Sequence, residues 1–295
     1  MPLEDVRVMA ERARRGGYAI GYFEAWNLES LQGVLDAAEE SLSPIFIGFN
    51  GDFLSDPDRI AFERMSIYAA LGRAAAATAL VRCALVFNEC PREDWIEWAI
   101  MAGFNLVVPT LPGIELQEST RRVVKLANMA HEHGSAIEGE VGVLPCGSAG
   151  MEMTHGRRTE PEIAARFVES TNVDLLAVSV GNVHIRIKGE GDLDLELLKV
   201  IHERVAVPLV LHGGTGITRK SLQAAIGLGV AKVNFGTYLK QRYRAAIMHS
   251  LSNERPNPHE LFGLGGEHDV MVAGRAAVRE AVLERLQWLG CCGRA

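Results

Sequence analysis

The sequence lacks several features that would place a chain in a class at once. It carries 30 Lys and Arg against 37 Asp and Glu, a formal net charge of −7. Without a basic surplus, non-specific nucleic-acid binding is not expected. No run reaches the roughly 18 apolar residues that a membrane span needs. The opening Met1-Pro2-Leu3-Glu4-Asp5 has no basic-then-apolar signal pattern, so neither a membrane partner nor export is expected. The five cysteines are an odd number without regular spacing. That argues against a disulfide framework and points to a reducing, cytoplasmic compartment. Cys291 and Cys292 are adjacent, lack zinc-type spacing and are expected to be exposed tail thiols. No glycine-rich dinucleotide fingerprint follows the first apolar run.

What is present is ordinary for a globular protein: 48% apolar and 23% charged residues. A length of 295 residues suits one large α/β domain. Short β-rich runs alternate with helical patterns throughout. Strands are expected at residues 18–23, 44–50, 83–87, 105–110, 135–141, 175–181, 208–211 and 230–233. Asn27 is positioned to cap a helix, with Ser30 three residues on and apolar residues at helical spacing behind it. Further helices are expected at residues 59–78, after Pro91 to Gly103, and at 117–133, 160–170, 194–205, 218–228, 238–251 and 270–289. Eight strand–helix pairs predict a (β/α)8 TIM barrel with an extra C-terminal helix, a single domain over residues 1–295. A long loop at residues 142–159 breaks the rhythm and is a candidate working loop.

Barrel chemistry sits at the C-terminal ends of the strands. Those ends carry Glu24, Asn50, Asn88 and Glu89, Glu138 and Glu140, His184, His212 and Asn234. His184 and His212 end consecutive strands. With Glu89 or Glu140 they make a two-imidazole, one-carboxylate set of the kind that holds zinc with an open position. Barrel phosphate sites commonly form from the loops after strands seven and eight. Here those loops are Gly213, Gly214, Thr215 and Gly216, then Asn234, Phe235, Gly236 and Thr237. Glycine serves tight turns, and it also lets backbone N–H groups approach an anion.

Several stretches resemble class II, metal-dependent ketose-bisphosphate aldolases, nearest the fructose and tagatose branch. They are Glu138-Gly139-Glu140-Val141-Gly142, residues 177–184, residues 211–216, residues 232–237 and the terminal Gly293-Arg294-Ala295. The resemblance runs nearly end to end. It implies a zinc ion, or another divalent metal, that polarises a ketose phosphate and stabilises the enediolate left when a C–C bond breaks. It implies His184 and His212 as metal ligands and Glu140 as a carboxylate near the metal. It also implies that Gly213–Thr215 and Asn234–Thr237 hold the phosphate of the dihydroxyacetone-phosphate half. Homo-oligomers, dimers or tetramers, are usual in the family, and the C-terminal helix is a candidate interface.

The departures matter as much. Where the family has Asp-His after the third strand, this chain has Asn88 and Glu89. An amide neither donates nor accepts a proton at neutral pH, so Asn88 cannot do the family's acid–base work. Glu89 can still ligate metal through oxygen. Glu24 replaces a usual asparagine and is the candidate replacement acid–base group. Ile185 replaces a phosphate-binding glycine. Arg186 and Lys188 either offset that loss or are solvated loop charges. Ser148 or Glu152 falls near the family's catalytic glutamate. The expected activity is therefore a divergent lyase acting on a phosphorylated ketose or keto-sugar acid, with poor turnover of standard bisphosphates. The alternatives are a phosphosugar-binding barrel without aldolase activity, or an enediolate isomerase or epimerase.

Overall fold

The structure is a computed structural model that describes residues 3–145, 156–184, 189–252 and 257–295. The chain opens with a helix that periodicity had not singled out, α1 (Val6–Gly16). Asp5 caps it by accepting from the Arg7 N–H, and Gly17 ends it in the left-handed region at φ 65°. Then follow β1 (Ile20–Glu24), α2 (Leu28–Glu40), β2 (Ile45–Asn50), α3 (Gly51–Ser55), α4 (Met65–Thr78), β3 (Cys83–Cys90), α5 (Glu93–Met101), β4 (Leu106–Pro109) and α6 (Leu116–Glu132). The second half holds β5 (Ala136–Val141), α7 (Pro161–Thr171), β6 (Leu175–Val178), α8 (Leu195–Arg204), β7 (Leu209–Leu211), α9 (Arg219–Ile226), β8 (Val230–Phe235), α10 (Thr237–Leu251), α11 (Pro258–Leu261) and α12 (Val270–Leu289).

The eight strands close into a barrel in sequence order. Neighbours are parallel, and β1 pairs with β8 through Tyr22 opposite Asn234. The (β/α)8 TIM barrel and the extra C-terminal helix expected from the sequence are both present. Strands covered on both faces read as continuous apolar runs, and β1, β2 and β8 are buried along their whole length.

Some boundaries differ from expectation. The helix expected over residues 59–78 starts only at Met65, as α4, and a short helix that was not expected, α3, precedes it. Arg59 lies between them, donating to the Phe53 and Ala61 carbonyls. Strand β3 runs three residues past Phe87, so Asn88 and Glu89 lie within it rather than beyond it. Its register shifts between Phe87 and Cys90, and Glu89 adopts φ 52° there. Such a bulge re-aims a side chain.

The Asn27 cap forms as expected. Its side chain accepts from the Ser30 N–H, and the Ser30 hydroxyl accepts from the Asn27 N–H in return. The Asn27 amide also donates to the Tyr243 hydroxyl at 2.9 Å, joining α2 to α10. α12 packs between these two helices. It approaches so closely that a side-chain carbon on Gly33 would lie 2.6 Å from the Arg275 carbonyl. Val278, Val282, Leu286 and Leu289 are buried there, so this face of α12 serves the chain's own core. Cys291 is not an exposed thiol as expected. It is fully buried and donates to the Leu286 carbonyl, because the chain folds back after α12; of the two, Cys292 alone is exposed. Among the described residues no helix is long and apolar enough to cross a membrane.

Candidate active site

The bulge in β3 turns Glu89 into the barrel mouth. Its Oε1 lies 2.9 Å from His212 Nδ1 and 3.3 Å from His184 Nε2, while Asn50 Nδ2 donates to its Oε2 at 2.9 Å. Behind His212, Nε2 lies 2.7 Å from Glu138 Oε1. Lys232, fully buried in β8, donates to Glu138 Oε2 at 2.8 Å and to Asn234 Oδ1 at 2.7 Å. That bond fixes the Asn234 amide, whose Nδ2 then donates to Asn88 Oδ1 at 3.2 Å.

Two carboxylates thus alternate with three potential cations, His184, His212 and Lys232, along a row that is buried apart from the half-buried His184. Burial alone would raise the Glu89 carboxyl, but the His184 and His212 imidazoles overcome it and hold it well below the usual range. Burial disfavours a charged His212, yet bonds to Glu138 and Glu89 outweigh it and push the imidazole up to about 10. Such a row is tolerated inside a protein because each charge has a partner and each hydrogen-bonding atom is used.

The donor chemistry of Glu89, His184 and His212 fits a divalent cation. One carboxylate oxygen and two imidazole nitrogens converge, and the far nitrogen of His212 is held by a carboxylate, as in metal-ligating histidines. Among the described residues, no group of three or more His, Cys, Asp or Glu side chains is laid out as a metal cluster. Instead the Glu89 carboxylate closes on the two rings as an ion pair. Glu140 lines the same cavity, of about 390 Å³, with Glu89, His184 and His212. Burial pushes its carboxyl up.

A second cavity of about 330 Å³ meets the first at Glu89 and His184. Its wall includes Glu24, Asn88, Gly213, Thr215, Asn234, Phe235, Gly236, Thr237 and Lys240. The β7 and β8 tips therefore face one space, and the Thr215 hydroxyl joins them by accepting from the Tyr238 N–H at 3.1 Å. Gly213 sits at φ 69° with the Val183 carbonyl 2.2 Å from where a side-chain carbon would be, so only glycine fits. Gly214 and Gly216 serve the turn itself. Gly214 packs beneath Phe235, and the Gly216 carbonyl accepts from the Gly191 N–H.

Glu24 is buried in this wall and bonded to Lys240 Nζ at 2.5 Å. Burial pushes its carboxyl up against the pull of that ammonium. Sequence reasoning missed Lys232, Lys240 and Tyr22. A lysine within an apolar strand was the available signal for Lys232. Tyr22 shares the inner face of β1 with Glu24, and its hydroxyl finds no partner among the described residues. Ser148, Glu152, Ile185, Arg186 and Lys188 lie outside the described residues.

The barrel, the two histidines and the paired glycine turns thus share one mouth. The model of the family described as fructose-bisphosphate aldolase class-II matches residues 4–294, and the chain belongs to this family. It is 33% identical over 294 residues to YdjI of Escherichia coli K12, covering 99% of each chain. The crystal structure of that protein, described as an aldolase, superposes with a TM-score of 0.83 at 30% identity over 99% of both chains. The fructose-bisphosphate aldolase of Geobacillus stearothermophilus is 29% identical, covering 100% of this chain and 99% of its own. The sulfofructosephosphate aldolase of Alkalicoccus urumqiensis is also 29% identical, covering 98% of this chain and 97% of its own. The chain is thus an aldolase-like lyase by family.

Proposed function

We propose that the protein catalyses metal-assisted, reversible C–C cleavage of a phosphorylated ketose or keto-sugar acid through an enediolate, giving dihydroxyacetone phosphate and an aldehyde. The observation that carries this reading is the convergence of Glu89, His184 and His212 beside the two glycine turns. Those three side chains, with Glu140 nearby, would hold zinc or another divalent ion. Bound there, the ion supplies Lewis-acid polarisation of the ketose carbonyl and offsets the enediolate charge.

The remaining work belongs to the chain. Backbone N–H groups at Gly213–Thr215 and Asn234–Thr237, with the N-terminus of α10, cradle the phosphate, while the Gly216 N–H closes the turn on the Gly213 carbonyl. Glu24, its carboxyl raised by burial, takes and returns the substrate proton. Asn88, its Oδ1 already accepting from Asn234, offers only Nδ2 donors and orients a substrate oxygen. The cavity facing Glu140 receives the aldehyde half. A substrate outside the standard bisphosphates, in a cytoplasmic homo-oligomer, completes the reading. The named specificities of the family relatives already differ among themselves.

The Asn88 amide favours a second reading, a phosphosugar-binding barrel or an enediolate isomerase or epimerase. Metal content after gentle purification separates lyase from binder. About one zinc, manganese or cobalt per chain, lost in His212→Ala, is expected for the lyase. Metal-free protein sinks it. Exchange of substrate protons without aldehyde product would identify the isomerase.

A further inference from the structure

The wall that carries the phosphate turns also carries a carboxylate. A side-chain carbon on Gly236 would lie 2.3 Å from Glu24 Oε2, so this oxygen packs directly on the β8 turn. An anion seated on that turn would face Glu24 at close range, and like charges in a partly buried wall repel strongly. A cation must stand between them. Lys240, in the first turn of α10, lines the same cavity and lies 2.5 Å from Glu24 Oε1. Its ammonium sits 4.2 Å from the Phe53 ring centroid and 5.7 Å from that of Trp26. These rings hold the ammonium at the wall without neutralising it.

We propose that Lys240 is a ligand of the substrate's anionic head group, shared with Glu24, and that Glu24 sets how strongly that head group is held. This rests on the reading of the β7 and β8 turns as a phosphate cradle. In the free protein the ammonium is committed to Glu24. When the head group arrives, the ammonium bridges carboxylate and anion, so the anion receives only part of its charge. Glu24 therefore lowers the site's preference for a dianion relative to a barrel with a neutral residue in its place.

Calorimetric titration of the intact protein with inorganic phosphate, at low ionic strength and a pH where phosphate is the dianion, tests this. Lys240→Met is expected to weaken binding at least about tenfold, the size of a lost charge-assisted hydrogen bond. Glu24→Gln is expected to tighten it about threefold, the scale of relieving a partly screened like charge. Misfolding cannot produce tighter binding, so the Glu24→Gln result stands even if Lys240→Met unfolds. Phosphate binding within about twofold of wild type in Lys240→Met, or weakened binding in Glu24→Gln, would overturn the proposal. Wild type that binds no phosphate at millimolar concentration overturns both the proposal and the cradle. The expected variant pattern in a protein that cleaves no C–C bond upholds the proposal and removes the lyase chemistry.

Discussion

Glu89 holds a left-handed backbone in the middle of the buried row of charges. A non-glycine residue there costs on the order of 1–3 kcal/mol and persists only where its surroundings demand it. Here the demand comes from two imidazoles and the Asn50 amide. Much of this was legible. Glu89 is the last but one residue of β3, and His184 and His212 follow the ends of β6 and β7; this is where barrel chemistry gathers. Their support was not legible. Glu138 and Lys232 are 94 residues apart, and nothing local marks them as partners. Lys232→Met leaves the Glu138 carboxylate buried without its cation. A stability loss of about 3–5 kcal/mol is expected in urea unfolding, the usual cost of orphaning a buried charge. Unchanged stability would mean that His212 alone balances Glu138. At the neighbouring position, Glu89→His alone is not expected to restore turnover of fructose or tagatose bisphosphate in a coupled triose-phosphate assay. Asn88 still carries no transferable proton. Wild-type turnover at ordinary aldolase rates, or recovery in the single variant, would show that Asn88 is not limiting.

At the scale of elements, the strand–helix rhythm was visible because each barrel strand is an apolar run followed by an amphipathic helix. The misses have local causes. The bulge that lengthens β3 depends on a backbone angle that glutamate does not advertise. Helix α1 has a clear cap at Asp5 and apolar spacing at Val6, Met9, Ala10 and Ala13, and it precedes the first strand where the barrel rhythm does not call for a helix. Of the two tail thiols only Cys291 was misplaced, because its burial follows from how α12 ends. Burial pushes that thiol up to about 12. A neutral alkylating reagent should therefore modify Cys292 in the native protein and spare Cys83, Cys90 and Cys291 until unfolding. Peptide mass mapping checks this. Early labelling of Cys291 would mean that the end of α12 opens readily.

Over the whole molecule, the two halves of the mouth diverge. The β7 and β8 turns, with glycine required at Gly213, keep the form that suits a phosphate. Glu24, Asn88 and Glu89, which stand where the resembled family has other groups, line the same cavity beside those turns. Deuterium exchange into dihydroxyacetone phosphate, followed by NMR with and without an added aldehyde, reads both halves at once. With zinc, manganese or cobalt supplied, exchange at the hydroxymethyl carbon is expected. It should stop on chelation and in His212→Ala, and a C–C-bonded product should form when aldehyde is present. Absence of exchange with all three metals would contradict the account.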